Sequence, residues 1–208
     1  WAEAPEYSVF PLDDRRWGRE TGAKPGARPN HYTFGVGLDR IDRINAPDMT
    51  DRSFSIAADI DVPATGAEGV LLAFGNALAG YVLYMQDGCV VHEYVYSDDV
   101  RHVLRTTAPL APGHHIVKYE FIRGASGGAL SSLHVDGVLV DSCMVPRTWP
   151  NRAVQAGLTC GRDAGSPVGQ GYATPFAFTG TLNKVVVELS DHPSGEGVFA
   201  AESALVEE

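Results

Sequence analysis

The sequence predicts an all-β fold, a two-sheet antiparallel sandwich of the jelly-roll type, on three observations. The chain of 208 residues contains 23 Gly and 13 Pro, and so many turn-forming residues favour many short strands over a few long helices. Apolar and polar residues alternate in several segments, and two Asp-Gly pairs separate such segments. No stretch of ten or more residues has convincing helical periodicity, apart from a terminal turn at 200–208.

The alternation is plainest at 53–62, where every second side chain is apolar and the residues between them are mostly Ser or Asp. Successive side chains of a strand point to opposite faces, so this segment predicts a strand with one buried face. Pro63 ends it because proline cannot donate to a sheet ladder. The other predicted strands are 31–37, 69–74, 81–86, 89–96, 100–106, one containing Val117, Tyr119 and Phe121, 133–140 as a hairpin, 154–159, and 176–189 with a break at Gly180.

Two tight turns fix the pairing of neighbouring strands. Asp87-Gly88 lies between two apolar strand segments, and Asp136-Gly137 lies within the hairpin 133–140. A two-residue hairpin of this type needs a positive φ at both positions, and Asp-Gly satisfies that requirement. We therefore expect two antiparallel hairpins that turn at these pairs.

The composition divides the chain into three parts. Residues 1–30 are rich in Pro, Gly and charge and lack periodicity, which predicts an extended arm or linker. Its apolar anchors are Tyr7, Phe10, Leu12 and Trp17, and we expect contact with the sandwich or a partner to order them. Residues 31–190 form the predicted sandwich, and residues 191–208 form an acidic tail.

Charge and cysteine content narrow the function classes. A net charge of −10 with no cluster of Lys or Arg argues against nucleic acid and anionic membranes as partners. No apolar run is long enough to cross a membrane. The three cysteines, Cys89, Cys143 and Cys160, are widely spaced beside apolar residues. This pattern favours buried, reduced thiols and a reducing compartment such as the cytoplasm.

The chain contains no recognisable catalytic apparatus. It has no Gly-x-Ser-x-Gly elbow. Glu93 and Glu120 are the strand glutamates that could form a carboxylate pair, although we expect them to lie on a solvated outer face. Transition-metal candidates are His92-Glu93, His114-His115 and His134-x-Asp136, although adjacent strand residues point to opposite faces. Calcium candidates are Ser97-Asp98-Asp99 and Arg162-Asp163, neither of which has the acidic density of a dedicated loop.

An ordered set of motifs carries a family resemblance. The segments are 52–60, 66–73, 80–84, the Val135-Asp136-Gly137 hairpin, Pro146-Arg147-Thr148, 161–168, Tyr172 and 175–180. In this order they resemble the carboxyl-terminal β-sandwich region of large bacterial arylsulfatases, which implies a concanavalin-like or laminin-G-like sandwich. The arm segment 9–15 is similar to the connector that leaves the catalytic domain in that family.

The resemblance implies a non-catalytic accessory domain that packs on a sulfatase catalytic domain, either in cis or as a separate chain. Sulfatases use a formylglycine made within Cys/Ser-x-Pro-x-Arg, and the proline of Cys143-Met144-Val145-Pro146-Arg147 is one position too late for that motif. The resemblance therefore places the nucleophile and its calcium on a domain absent from this sequence. No cofactor is expected in this chain, and the chain alone is not expected to hydrolyse an aryl sulfate.

The alternative is a free-standing carbohydrate-binding module. Sandwich folds host many functions, and sugar recognition needs exposed aromatic side chains beside polar loops. The aromatic candidates are Tyr94, Tyr96, Trp149 and Tyr172.

The candidate interface residues are Arg162, Asp163, Tyr172, Phe176 and, in the arm, Trp17. The loop that begins at Arg162 is long for a compact sandwich and rich in turn formers. We expect Asp163 to accept backbone N–H bonds or to pair with an arginine, and Tyr172 and Phe176 to hold the far end of the loop. The loop then either contacts the catalytic domain or merely organises its own turn.

Overall fold

A computed structural model of the chain describes residues 29–35, 38, 40–43, 45–50, 52–124, 127–149 and 156–190. These ranges contain thirteen β-strands and no helix, so the predicted all-β fold is confirmed. They accordingly hold no helical segment with the length and apolar character needed to cross a bilayer.

Sheet A has six strands in the order β1-β13-β2-β7-β8-β9, and all its pairs are antiparallel. Its strands are β1 (His31–Phe34), β2 (Phe54–Val62), β7 (Gly113–Arg123), β8 (Ala129–Val135), β9 (Val138–Val145) and β13 (Thr181–Leu189). β1 ends at Phe34, before the end of the predicted strand 31–37, of which residues 36 and 37 lie outside the described residues. The first and last strands are neighbours, so the two ends of the sandwich meet in one sheet.

Sheet B has seven strands in the order β11-β12-β3-β4-β5-β6, with β10 also paired to β3. Its strands are β3 (Gly69–Asn76), β4 (Ala79–Gln86), β5 (Cys89–Ser97), β6 (Val100–Arg105), β10 (Leu158–Cys160), β11 (Arg162–Asp163) and β12 (Phe176–Ala177). All its pairs are antiparallel except β12 with β3.

The main core lies between the two sheets. The alternating residues of β2 supply one side of it, and all five apolar side chains are almost inaccessible: Phe54, Ile56, Ala58, Ile60 and Val62. β7 adds Val117, Tyr119 and Phe121, as the sequence predicts. Burying a side chain of the Ile or Phe class contributes about 1.5–3 kcal/mol, so the alternation of β2 also sets its register.

Both predicted hairpin turns are present. Asp87 and Gly88 have φ of 52° and 72°, and Asp136 and Gly137 have φ of 51° and 80°. Positive φ at both central positions matches the right-handed twist of the flanking strands. The Asp-Gly signals therefore set the β4–β5 and β8–β9 registers.

The predicted break at Gly180 separates strands of different sheets, since β12 belongs to sheet B and β13 to sheet A. A Cβ at Gly180 would lie 2.7 Å from the Asp61 carbonyl oxygen and 2.8 Å from the Phe178 ring. The chain passes so close to β2 and to Phe178 at this crossing that a side chain at position 180 would collide with them.

A second, smaller core covers the outer face of sheet B. It consists of Val70, Ala73, Val82, Tyr84, Val91, Val95 and Val168, with Tyr172 and Phe176 packed against them. Val168 and Tyr172 come from residues 164–175, here named the cover loop, which joins β11 to β12. The predicted arm, apart from Pro29 and Asn30, and the acidic tail lie outside the described residues.

Candidate functional site

Asp163 anchors the start of the cover loop. Its side chain is buried, and its Oδ2 accepts a 2.7 Å hydrogen bond from the Tyr172 hydroxyl and a 3.3 Å bond from the Val168 amide. Its Oδ1 accepts a longer bond, 3.4 Å, from the Gly165 amide. The expected backbone contacts of Asp163 are therefore present, with a tyrosine hydroxyl added.

Tyr172 and Phe176 hold the far end of the loop. Their rings stack with centroids 5.0 Å apart, and the Tyr172 ring also packs edge-on against Tyr84 at 5.0 Å. Burial and then the bond to Asp163 raise the pKa of Tyr172, so its hydroxyl remains a donor at neutral pH. The predicted pinning is present, and the loop organises itself through Asp163.

Glu93 and Arg101 form a buried ion pair beneath the same loop. The Arg101 Nη1 lies 3.2 Å from the Glu93 Oε2, and the two side chains are 11% and 4% exposed. Glu93 Oε1 accepts a 2.8 Å bond from the Tyr84 hydroxyl, and both carboxylate oxygens face the Gln170 amide at 3.2 and 3.3 Å. Burial, followed by the charge of Glu93, raises the pKa of Tyr84.

The same arginine ties the loop to a distant turn. Arg101 Nη1 donates to the Val168 carbonyl at 2.8 Å, and its Nη2 donates to the Ala77 carbonyl at 2.6 Å. Ala77 belongs to the β3–β4 turn, so a single guanidinium joins strand, loop and turn. The planar fork of arginine suits this geometry, since it presents several donors in fixed directions.

The sequence interpretation missed this pair. The possible catalytic pairing of Glu93 with Glu120 is wrong, because Glu93 lies on the outer face of sheet B and Glu120 on the outer face of sheet A. A solvated outer face was the expectation for Glu93, whereas the cover loop buries it. A glutamate within the apolar strand 89–95 indicates a buried polar contact, but the sequence does not identify the partner of that glutamate.

A polar pocket of about 390 Å³ opens beside the cover loop. Asp163 and the cover loop, including Val168, form one wall, and the end of β3 forms another. Arg40 closes a further side, stacked so closely on Gly157 that a Cβ there would lie 2.8 Å from the Arg40 Nε. The polar groups that line the pocket are Arg40, Asn76, Thr159, Asp163 and Ser166.

The chemistry of this pocket is dominated by hydrogen-bond donors and hydroxyls. The Asn76 Oδ1 already accepts bonds from the Leu78 and Ala79 amides at 2.9 and 3.3 Å, which orients its NH₂ group as the free end of the amide. Asp163 is occupied by donors of its own loop. Arg40 and Ser166 are exposed and accessible to a ligand.

The predicted metal candidates do not converge. The described part of the chain holds no group of three or more His, Cys, Asp or Glu side chains that could bind a metal ion. His114 contacts Asp59 at 2.9 Å, and His115 contacts Asp136 at 2.7 Å. Asp98 and Asp99 are exposed at the β5–β6 turn.

The predicted sugar-stacking aromatics serve in packing. Tyr94 is buried and packs at a tilt against Trp149 with ring centroids 4.7 Å apart, and the Trp149 Nε1 donates to the Tyr96 carbonyl at 3.1 Å. Tyr96 and Trp149 are half-buried against the main core. An exposed platform for a sugar ring is therefore not formed by these residues.

The remaining candidates have separate outcomes. Arg162 is exposed at the edge of sheet B, and Trp17 lies outside the described residues. The three cysteines are free thiols, as expected, with Cys89 and Cys160 buried and Cys143 half-buried. Burial raises the pKa of the Cys160 thiol to about 12.

Solved structures share this architecture at low sequence identity. The CBM40 domain of the Ruminococcus gnavus IT-sialidase, bound to α2,3-sialyllactose, is 16% identical, with 82% of this chain and 96% of that chain covered and a TM-score of 0.55. Domains LG4-5 of the mouse laminin α1 chain are 18% identical, with 81% and 44% covered and a TM-score of 0.50. A leech intramolecular trans-sialidase complexed with 2,7-anhydro-Neu5Ac is 15% identical, with 82% and 27% covered and a TM-score of 0.52.

These likenesses establish the fold as a jelly-roll sandwich of the laminin-G and concanavalin type. No family model matches the chain, and no curated protein matches it. The resemblance to arylsulfatases receives no support from these comparisons and stays a prediction from the sequence.

Proposed function

We propose that this domain is a carbohydrate-binding accessory module whose ligand site is the pocket beside the cover loop. The pocket itself carries the proposal: about 390 Å³ is within the range of ~300–1,000 Å³ typical of small-ligand sites. Its accessible groups are a guanidinium, an amide and a hydroxyl, from Arg40, Asn76 and Ser166. Such groups suit the many hydroxyl oxygens of a sugar.

The fold adds an analogy. The structure of a domain with the same architecture, the CBM40 domain, has been solved with bound sialyllactose, and that ligand is an observation on the CBM40 domain alone. Fold alone does not determine function, so the pocket residues must be tested directly. The absence of an exposed aromatic platform among Tyr94, Tyr96, Trp149 and Tyr172 indicates binding by hydrogen bonds within a recess rather than by stacking on a flat surface.

The test is a glycan array followed by titration calorimetry of each binder. Replacing both Arg40 and Ser166 with Ala should lower affinity by about tenfold, because each removes a ligand hydrogen bond worth ~0.5–1.5 kcal/mol. The control is Arg105→Ala, which removes an exposed arginine that does not line the pocket. A wild-type chain that binds no glycan at millimolar concentration, or a double variant that binds as tightly as the wild type, would overturn the assignment.

We also infer an accessory role beside a larger enzyme, and the sulfatase resemblance supplies its support. The motifs between 52 and 180 and the connector-like segment 9–15 are the observations behind it. Co-expression with an arylsulfatase catalytic domain, followed by affinity purification, tests the pairing. Copurification of the two domains in equal amounts would support the pairing. Failure of the domains to associate, both as separate chains and when fused in one chain, would reject it.

A further inference from the structure

We propose that Arg101 is a positioning residue that sets the width of the pocket beside the cover loop, although it does not line that pocket. The inference deepens the proposed function and rests on it for its ligand. The starting observation is that one guanidinium donates to Val168 on the loop and to Ala77 on the β3–β4 turn.

These two contacts end at two segments that contribute to the wall of the pocket. Val168 lines it from the cover loop, and Asn76, next to Ala77, lines it from the end of β3. Both bonds end on backbone carbonyl oxygens, so they fix the path of the chain itself. A change in the position of Arg101 therefore changes the separation of the two walls.

Glu93 fixes the position of Arg101 in turn. Glu93 lies on β5, one strand in from the β6 edge of sheet B, and its backbone is paired with Val82 on β4 and Val103 on β6. Its side chain is 4% exposed, and its carboxylate also faces the Gln170 amide of the loop. The rigid sheet thus supplies a fixed reference for a loop that has little regular structure of its own.

The glycines of the loop permit this close seating. A Cβ at Gly169 would lie 2.7 Å from the Glu93 Oε1, and a Cβ at Gly171 would collide with the Tyr84 hydroxyl. Side chains at these positions would lift the loop away from the ion pair. Loop, carboxylate and guanidinium therefore form one closely fitted unit.

Stability alone does not account for such a pair. Removing two charges from water costs several kcal/mol per ion, and well-packed apolar residues often stabilise a protein as much as a buried ion pair does. The apolar second core would cover sheet B without it. Directional bonds to two distant carbonyls instead specify one conformation, and holding a site in its bound geometry raises affinity by lowering the cost of ordering it.

The experiment compares Arg101→Lys and Arg101→Met with Arg105→Lys and Arg105→Met in the full chain. Arg105 is the matched control, because it lies on the same strand, is exposed and does not contact the loop. A lysine ammonium is a point charge that cannot reach Glu93, Val168 and Ala77 together. The Lys variant retains the charge and serves where the Met variant fails to fold.

The readout is amide hydrogen exchange, resolved by segment. We expect exchange in residues 76–79 and 164–171 to accelerate by about tenfold or more in the Arg101 variants, because a buried pair has been broken, with β2 and β7 unchanged. The Arg105 variants should exchange like the wild type. Unchanged protection of the two walls, or equal acceleration throughout the sandwich, would overturn the positioning role.

Ligand affinity supplies the second readout and separates the two proposals. For a glycan that the wild type binds, Arg101→Lys should weaken affinity by about tenfold under conditions where the variant is fully folded. Faster amide exchange in residues 76–79 and 164–171 with unchanged ligand affinity would reject the link between Arg101 and the site. A wild type that binds no glycan would reject the proposed function, while the exchange data would still decide whether Arg101 holds the walls.

Discussion

A single carboxylate, that of Asp163, holds the start of the cover loop. Asp163 is 5% exposed, and its carboxylate accepts hydrogen bonds from the Tyr172 hydroxyl and the Val168 amide. Replacing Asp163 with Ala should lower the free energy of unfolding by about 1–3 kcal/mol, because buried donors lose their acceptor. Urea denaturation measures this change.

Two further variants make the Asp163 test specific. Asp98→Ala, at an exposed turn, should change stability by less than about 0.5 kcal/mol. Tyr172→Phe removes the hydroxyl that Asp163 accepts, so the losses of the two variants should not add in the double variant. Full additivity, or a loss below about 0.5 kcal/mol for Asp163→Ala, would contradict the anchoring role.

Two histidines should give opposite pH dependences. His92 is wholly buried with its ring 3.4 Å from that of Tyr119, and burial lowers its pKa to about 3. The unfolded chain binds a proton near pH 6.5 that the folded chain excludes, so His92 reduces stability as pH falls from about 6.5 towards 3. The slope is about 1.4 kcal/mol per pH unit.

His115 has the reverse sign. Burial lowers its pKa, but the hydrogen bonds to Asp136 and to the Ala111 carbonyl, together with the charge of Asp136, outweigh burial and raise the pKa overall. Its contribution is fully present below about pH 6.5 and is lost as pH rises through the folded-state pKa. Urea denaturation from pH 4.5 to 8.5 measures both effects. The free energy of unfolding of His92→Phe should rise relative to that of the wild type as pH falls, and that of His115→Gln should fall furthest below the wild type at low pH. Parallel pH profiles for the two variants would contradict both assignments.

At the scale of elements, the cover loop depends on glycines that differ in their surroundings. A Cβ at Gly169 would lie 2.7 Å from Glu93 and 2.8 Å from the Tyr172 ring, whereas a Cβ at Gly165 would meet nothing within 4 Å. Gly169→Ala should therefore destabilise the protein by about 1–3 kcal/mol through overpacking. Gly165→Ala, in the same loop, should be neutral in thermal unfolding, and equal effects at the two positions would contradict the close seating of the loop.

The elements that the sequence predicted are those with local signals. The alternation of β2 and the turns at Asp87 and Asp136 are encoded within a few neighbouring residues, and the structure has them as expected. The loop from Asp163 to Phe176 was also recognisable by its length and its turn formers. Local pattern and physical cause coincide in these cases.

The Glu93–Arg101 ion pair that holds the cover loop has no such local signal in the sequence. Arg101 is 67 residues from its partner Val168, and Glu93 is 77 residues from Gln170. Only the strand order of sheet B brings them together, and that order follows from the packing of the whole chain. The packing of the aromatic candidates for sugar binding also depends on the whole fold, since Tyr94 of sheet B stacks on Phe121 of sheet A and Trp149 packs on Tyr94.

At the scale of the molecule, the sandwich closes through its last strand. β13 lies between β1 and β2, and its inward side chains Leu182, Val185, Val187 and Leu189 are all buried in the main core. The first described strand thus reaches the rest of sheet A only through the last one. All the described side chains of the core between the sheets lie within residues 31–189.

This arrangement predicts contrasting results for two truncated chains. A chain of residues 29–190 should unfold cooperatively with a midpoint close to that of the full chain, because it retains all thirteen strands that the structure describes. A chain of residues 29–180 lacks β13, which detaches β1 and exposes the inner faces of Ile56 and Ile60. This chain should not fold cooperatively. Each buried aliphatic side chain that is lost costs ~2–5 kcal/mol, and the loss of several exceeds the total stability of a typical domain. Circular dichroism during heating measures both. A molten 29–190 chain would show that the sandwich needs residues beyond this range, and a cooperative 29–180 chain would show that β13 is not the strand that closes it.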